Sequence, residues 1–210
     1  MFQNNLLMGA DAATSGTSLV SVANSALYES ANSEYLSRTP GSASNRDTWT
    51  FSHWVYKAYI SGAKQFFGAG ANNTNNTELR DQGTGILEYR HQDGGSITDN
   101  IVTTPIFRDI GWYHIVWAVD TTQAVESNRV IIYVNGVRIT ALATTNYPAQ
   151  NVDTDVNDAV ATNVGARTGP DHFWSGYMAE TVLIDGLQLT PTSFGEFDST
   201  GLYWTPKSSA

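Results

Sequence analysis

From about residue 26 onward, apolar and polar positions alternate in short runs broken by turn clusters, a pattern of strands and not of helices. Residues 48–56 (TWTFSHWVY) put Trp49, Phe51, His53 and Val55 on one face. Thr48, Thr50 and Ser52 occupy the other until Trp54 and Tyr56 interrupt it. This predicts a half-buried strand that becomes more fully covered at its end. Residues 112–119 (WYHIVWAV) form a near-continuous apolar run, as a central strand packed on both sides requires. In RVIIYVNGVRITA (129–141), Asn135-Gly136 joins two β-branched runs, and a type I′ turn needs positive φ at both positions. The register pairs Val134 with Val137, Ile132 with Ile139 and Val130 with Ala141, and these six side chains are the expected core face. Further strands are expected near 26–29, 34–38, 64–69, 77–80, 86–91, 98–103, 160–166 and 173–184. Turn clusters at 69–76, 92–95, 120–128 and 168–171 separate them. Many short strands, no amphipathic helix and no internal repeat predict an all-β sandwich.

Composition narrows the function more than the fold. The chain has 210 residues, no cysteine and a formal net charge of -9. Its length suits one domain of ordinary size, or at most two small ones. The missing thiols remove disulfides, thiolate zinc sites, iron–sulfur clusters and thiol nucleophiles. Charged residues make up only 15% of the chain, against about 25% in an average one, so the surface is polar but weakly charged. Eleven basic residues, no two adjacent, stand against 20 acidic ones; a nucleic-acid partner would need clustered cations, and none is expected. No run of 18 apolar residues predicts a membrane span, and the N-terminus lacks the basic and apolar regions of a secretion signal.

Residues 1–25 differ from the rest, being rich in Ala, Ser, Thr and Asn with one charge, Asp11, and one aromatic, Phe2. Such a segment cannot bury enough surface to fold alone. The expectation is an extended arm that docks on an assembly partner through Phe2, Leu6, Leu7 and Met8, leaving 26–210 as the sandwich.

The order of the pieces resembles the concanavalin A-like lectin/glucanase superfamily, in its LamG and pentraxin-like branch. The carriers are LYESANSEYLSRTP (27–40), TWTFSHWVY (48–56), QFFGAG (65–70) and WYHIVWAVDTT followed by RVIIYVNGVRI (112–139). NVGAR (163–167) and FWSGYMAETVLIDGLQLTPTSFGEF (173–197) complete them. Within that superfamily, YLSRTP, TWTFSHWV, DGLQLTP and SFGEFDSTGLYWTPK are similar to single-domain virion proteins of marine bacteriophages. The resemblance implies an antiparallel two-sheet jelly-roll sandwich with loops able to bind glycans or proteins; fold alone does not supply function.

Glucanases of the superfamily carry Glu-x-Asp-x-(x)-Glu on one strand, because retaining hydrolysis needs two carboxyl groups about 5 Å apart. The nearest approach here, Glu196-Phe-Asp198, lacks the third acid, so no catalytic residue and no enzyme activity is expected. His53, His91, His114 and His172 form no metal or nucleophile motif. Asp153, Asp155, Asn157 and Asp158 begin like an EF-hand loop, but Asp158 stands where glycine is expected and Val164 where the bidentate glutamate belongs. The default is a solvated acidic loop without cofactor; the alternative is a calcium site of the kind LamG and pentraxin relatives hold at the sandwich rim. Glycan binding needs an exposed aromatic with nearby amides, and Tyr147, Phe173, Trp174 and the asparagines of 72–76 are the candidates, with core burial the competing claim on any tryptophan.

The leading expectation is a non-enzymatic structural protein on the surface of a bacteriophage virion, as capsid decoration, head fibre or tail component. Its partners would be capsid or tail proteins and further copies of the chain. The alternative is a lectin-like module for host or surface-glycan attachment, with glycoside hydrolysis third.

Overall fold

The computed structural model describes residues 24–57, 62–106 and 109–207. The expected anchors Phe2, Leu6, Leu7 and Met8 lie outside the described residues.

Two large antiparallel sheets form the sandwich. The strands are β1 (Ala26–Tyr28), β2 (Leu36–Arg38), β3 (Thr48–Lys57), β4 (Lys64–Asn72), β5 (Asn75–Asp81), β6 (Leu87–Asp93), β7 (Ser96–Thr103) and β8 (Gly111–Asp120). They continue with β9 (Val130–Val134), β10 (Val137–Arg138), β11 (Leu142–Asn146), β12 (Ala161–Val164), β13 (Gly176–Asp185), β14 (Gly195–Phe197) and β15 (Trp204–Pro206). One sheet has six strands in the order β1-β13-β3-β8-β9-β10, the other seven in the order β11-β7-β6-β5-β4-β12-β2, and β14 pairs with β15. This is a concanavalin A-like jelly-roll sandwich, as the sequence predicts.

The inward faces interdigitate as two packed sheets require. Trp49, Phe51 and Val55 of β3 and Ile115, Trp117 and Val119 of β8 meet Phe66, Phe67, Leu79, Leu87, Tyr89 and Ile101 of the opposite sheet. Asn135 and Gly136 have φ of 48° and 81°, and Val137 pairs with Val134. Only part of the expected core face is core, however. Val130, Ile132 and Val134 are buried and Ile139 packs half-buried against the core, whereas Val137 is 45% exposed and Ala141 is exposed. The reason is position: β10 is a two-residue strand at the edge of its sheet.

The second correction concerns β3. Thr50, Ser52 and Trp54 are buried like their inward-facing neighbours, because residues 187–207 fold back over the outside of the six-stranded sheet. Thr50 Oγ1 donates to the Leu187 carbonyl at 2.7 Å, and Trp204 packs on the 135–136 turn so closely that a Cβ on Gly136 would stand 2.6 Å from its ring. The expected turn over 69–76 is also shorter than its composition suggests. Strands β4 and β5 run on to Asn72 and from Asn75, and the Asn72 side chain closes the two-residue turn by accepting from the Thr74 and Asn75 amides at 2.8 and 3.1 Å.

Candidate functional site

Loop 167–173, which leaves β12 and returns to β13, gathers the chemistry on the outer face of the seven-stranded sheet. The sheet admits it where β4 has no side chain: a Cβ on Gly68 would stand 3.1 Å from the Ala166 carbonyl and the Arg167 Cα. The loop is then braced from several directions. Gly169 donates its amide to Asn73 Oδ1 at 2.6 Å, Thr168 Oγ1 donates to the Asn72 carbonyl at 3.0 Å, and the Gln65 amide donates to the His172 carbonyl at 2.8 Å. Arg167 grips Asp171 through both Nε and a terminal nitrogen, the planar fork matching the carboxylate. His172 Nδ1 lies 2.9 Å from the other side of the pair, on Asp171 Oδ1. His172 holds a left-handed φ of 51°, a conformation that a non-glycine residue keeps only where its surroundings impose it.

Beneath the loop lies a buried polar network. Glu78 is fully buried on β5. Its Oε2 accepts from Gln65 Nε2 at 2.6 Å and Arg90 at 2.7 Å, its Oε1 from Gln92 at 3.2 Å, and Arg167 stands 3.9 Å away. Glu88 likewise receives Arg80 and Gln82. Burial alone would raise the Asp171 carboxyl, but hydrogen bonds from Arg167 and His172 outweigh it and hold it below the usual range. Asp171 is therefore ionised at neutral pH, while its side chain and that of His172 are 39% and 41% exposed. Next in the chain, Phe173 meets Tyr35 with ring centroids 5.9 Å apart; Tyr35 is 37% exposed and Phe173 half-buried. The loop thus offers an anion, an imidazole and, with Tyr35 beside β2, an aromatic pair on one braced surface.

The sequence-predicted residues divide. Phe173 and the asparagines of 72–76 are brought together, since Asn72 and Asn73 anchor the loop that carries Phe173. Trp174 is fully buried in the core and cannot stack on a sugar. Tyr147 follows β11, at the opposite edge of the sheet from β2 and its neighbour Tyr35; it is half-buried against the core, and burial raises its phenol. The acidic run is spent on separate partners: Asp153 and Asp158 on Arg46 at 3.6 and 3.2 Å, Asp155 on His91 at 3.2 Å, and Asn157 on the Asn45 carbonyl and Asp185. Among the described residues no group of three or more His, Asp or Glu side chains is arranged to hold a metal ion. Glu196 is exposed on β14, and Asp198 closes the 198–203 turn by accepting from the Leu202 and Tyr203 amides.

Glu78, Arg90, Gln92, Arg167 and Asp171 escape the sequence reading. The signal for the first three is the alternation of Asn76, Glu78 and Arg80 with Leu79, and of Glu88, Arg90 and Gln92 with Tyr89, once β5 and β6 are set in register.

A family model for Laminin_G_3, described as concanavalin A-like lectin/glucanases superfamily, matches residues 30–192. Among solved structures, domain 4 of an extracellular arabinanase of Geobacillus stearothermophilus, in complex with arabinotriose, aligns at TM-score 0.56 and 18% identity over 80% of this chain and 73% of that one. Mouse laminin α1 domains LG4-5 align at 0.56 and 15% identity over 83% and 45%. A heptameric SAP-like pentraxin of Limulus polyphemus aligns at 0.50 and 16% identity over 71% and 68%. No curated protein matches the sequence.

Proposed function

This chain belongs to the concanavalin A-like lectin/glucanases superfamily, and from that premise we propose that it is a carbohydrate-binding module whose site is loop 167–173 with Tyr35. The observation that carries the reading is the braced loop itself. Ionised Asp171 accepts from sugar hydroxyls, His172 serves as donor or acceptor, and Phe173 with Tyr35 offers apolar ring surface to a pyranose or furanose face. Preorganisation matters because a ligand that must order its own loop forfeits affinity to that cost. The arabinanase domain solved with arabinotriose shares this fold, which lends the class of ligand some support. The expected result is saturable binding on a glycan array. Phe173→Ala and Tyr35→Ala should each weaken it about tenfold or more, on the order of 1.4 kcal/mol, with the domain still folded. Absence of any bound glycan, or binding by both variants as tight as that of the unaltered chain, removes the reading.

We read the module as non-enzymatic and as carried on the surface of a bacteriophage particle, as capsid decoration, head fibre or tail component. Supporting the first point, Glu78 and Glu88 on the outer face are each occupied by a guanidinium and an amide, which suits structure more than proton transfer. Supporting the second are the phage-like phrases YLSRTP and SFGEFDSTGLYWTPK and the composition of residues 1–25. Deleting residues 1–25 should abolish loading onto particles and leave the domain's unfolding transition in place. Normal loading of the truncated chain would sink the arm hypothesis.

A further inference from the structure

A second concavity lies on the other side of the molecule, where the C-terminal segment folds over the six-stranded sheet. It holds about 190 Å³ and is lined by Ser52, Trp54, Glu180, Val182, Phe194 and Lys207, among others. Pockets for drug-sized ligands measure roughly 300–1,000 Å³, so this one suits a smaller molecule, of the size of a single amino acid.

Four observations converge on this place. Strand β13 loses register with β3 between Ala179 and Val182, a bulge, and bulges re-aim side chains and recur beside functional sites. Glu180, inside that bulge, has a left-handed φ of 46°, a strained position for a branched-off carboxylate side chain where glycine would sit freely. Trp54 is 4% exposed and its indole N–H has no hydrogen-bond partner, which leaves a costly buried donor. Ser52 adds a second donor. Trp204 Nε1–H donates to His114 Nδ1 at 2.9 Å, so neutral His114 carries its proton on Nε2 and gives it to Ser52 Oγ at 2.9 Å, leaving the serine proton free to point elsewhere.

The charges on the walls complete the pattern. Glu180 and Lys207 line the same cavity, but the ammonium of Lys207 donates to the Thr192 carbonyl at 3.3 Å and not to Glu180. An anion and a cation on one small cavity, unspent on each other, complement a ligand with both charges.

We propose that this pocket binds a small zwitterion, an α-amino acid, with its ammonium on Glu180 and its carboxylate facing Lys207 and the Ser52 hydroxyl. The walls of Val182, Phe194 and the Trp54 ring suit a short apolar side chain. This site is separate from loop 167–173 and stands or falls independently of glycan binding.

The test is ligand-observed NMR and calorimetry on the full chain with L-alanine, L-serine and L-valine, beside propylamine, propionate and glucose as single-charge and uncharged probes. At least one amino acid should bind at low millimolar concentration or better, and the single-charge probes at least tenfold more weakly. Glu180→Gln and Lys207→Met, both at exposed positions, should each weaken binding about tenfold. Glu180→Gly separates the site from the fold: it should raise the melting temperature by roughly 2–4 °C by relieving the φ strain while abolishing binding. No amino-acid binding up to about 10 mM, tenfold above a millimolar Kd, binding indifferent to both charge variants, or a preference for propylamine, propionate or glucose would each overturn the proposal.

Discussion

Between pH 7 and pH 5 the domain should lose about 2 kcal/mol of stability through His114, with a further loss through His53, because both histidines are folded into it uncharged. His53 and His114 are both fully buried. Burial, reinforced by the nearby His114, drives the His53 imidazole far below its ordinary value, and burial takes His114 down to about 3. In the unfolded chain each titrates near 6.5. A depressed folded value means stability that is present above pH 6.5 and drains as the pH falls toward the folded value. His114 therefore forfeits about 2 kcal/mol by pH 5, and His53 adds a loss of the same sign. The carboxyls act elsewhere. Asp120, whose burial is outweighed by hydrogen bonds from Thr122, Gln123 and Thr48, is depressed, and its contribution is lost only below the ordinary aspartate range. Asp99, raised by burial although His91 pulls it down, works the other way and regains a little on acidification.

The bonding of His114 says where acid should enter. Its Nδ1 accepts the Trp204 N–H and its ring lies between those of Trp54 and Trp204, with interplanar angles of 19° to each. A proton on Nδ1 would set two donors against each other and release Trp204, and with it the β14–β15 hairpin. Urea titrations at pH 7 and pH 5 with an unchanged m-value measure the loss, and tryptophan fluorescence reports the hairpin. Equal stability at the two pH values would show that one or both histidines can charge in place.

The strands were legible wherever one face is buried, since burial imposes the alternation. Residues 48–57, 111–120 and the Asn135-Gly136 hairpin follow from their side chains. Three strands carry no such pattern. Strand β11 reads Leu-Ala-Thr-Thr-Asn on an exposed edge, held by ladder bonds to β7 that any polar sequence can make. Strands β14 and β15 have three residues each, and are fixed by what they cover. That covering is also why Thr50 and Ser52 look half-exposed in sequence and are not: residues 187–207 are too distant in the chain for a local pattern to register them.

The site was less legible for a related reason. Phe173 stands out as an aromatic at the start of an expected strand, beside the 168–171 turn cluster, and the asparagines of 72–76 as amides, but their meeting depends on the β4–β12 pairing. Trp174 was as eligible as Phe173 in sequence. Strand entry at Gly176 and the pleat decide between them, sending Trp174 inward onto Phe66 at 4.8 Å and leaving Phe173 to Tyr35. Ion pairs across strands, such as Glu78 with Arg90, require the register of β5 on β6, which composition does not carry.

Glu78 is where the largest single-residue loss is expected. Its carboxylate is the common acceptor for Gln65, Arg90 and Gln92, and all of them are largely shielded from water. Around it Gln65 Oε1, Asn100 Oδ1 and Asn163 Oδ1 are buried acceptors without partners and Arg90 Nε a buried donor without one, but none of these neutral oxygens carries the charge that answers the Arg90 guanidinium. Removing one partner of a buried ion pair costs about 3–5 kcal/mol, chiefly because the other charge is stranded. Glu78→Ala should therefore unfold at a correspondingly lower urea midpoint, whereas Glu78→Gln keeps one acceptor and should lose roughly 1.5–3 kcal/mol, the range for a charged hydrogen bond. Adding Arg90→Met to Glu78→Leu removes the stranded cation with its anion, and an apolar replacement of both should recover part of the loss. Recovery in the double variant is the decisive measurement. If Glu78→Ala lies within about 1 kcal/mol of the wild type, the size of an ordinary surface change, water reaches this face. The network beneath loop 167–173 is then a solvated cluster and not the foundation that holds Arg167.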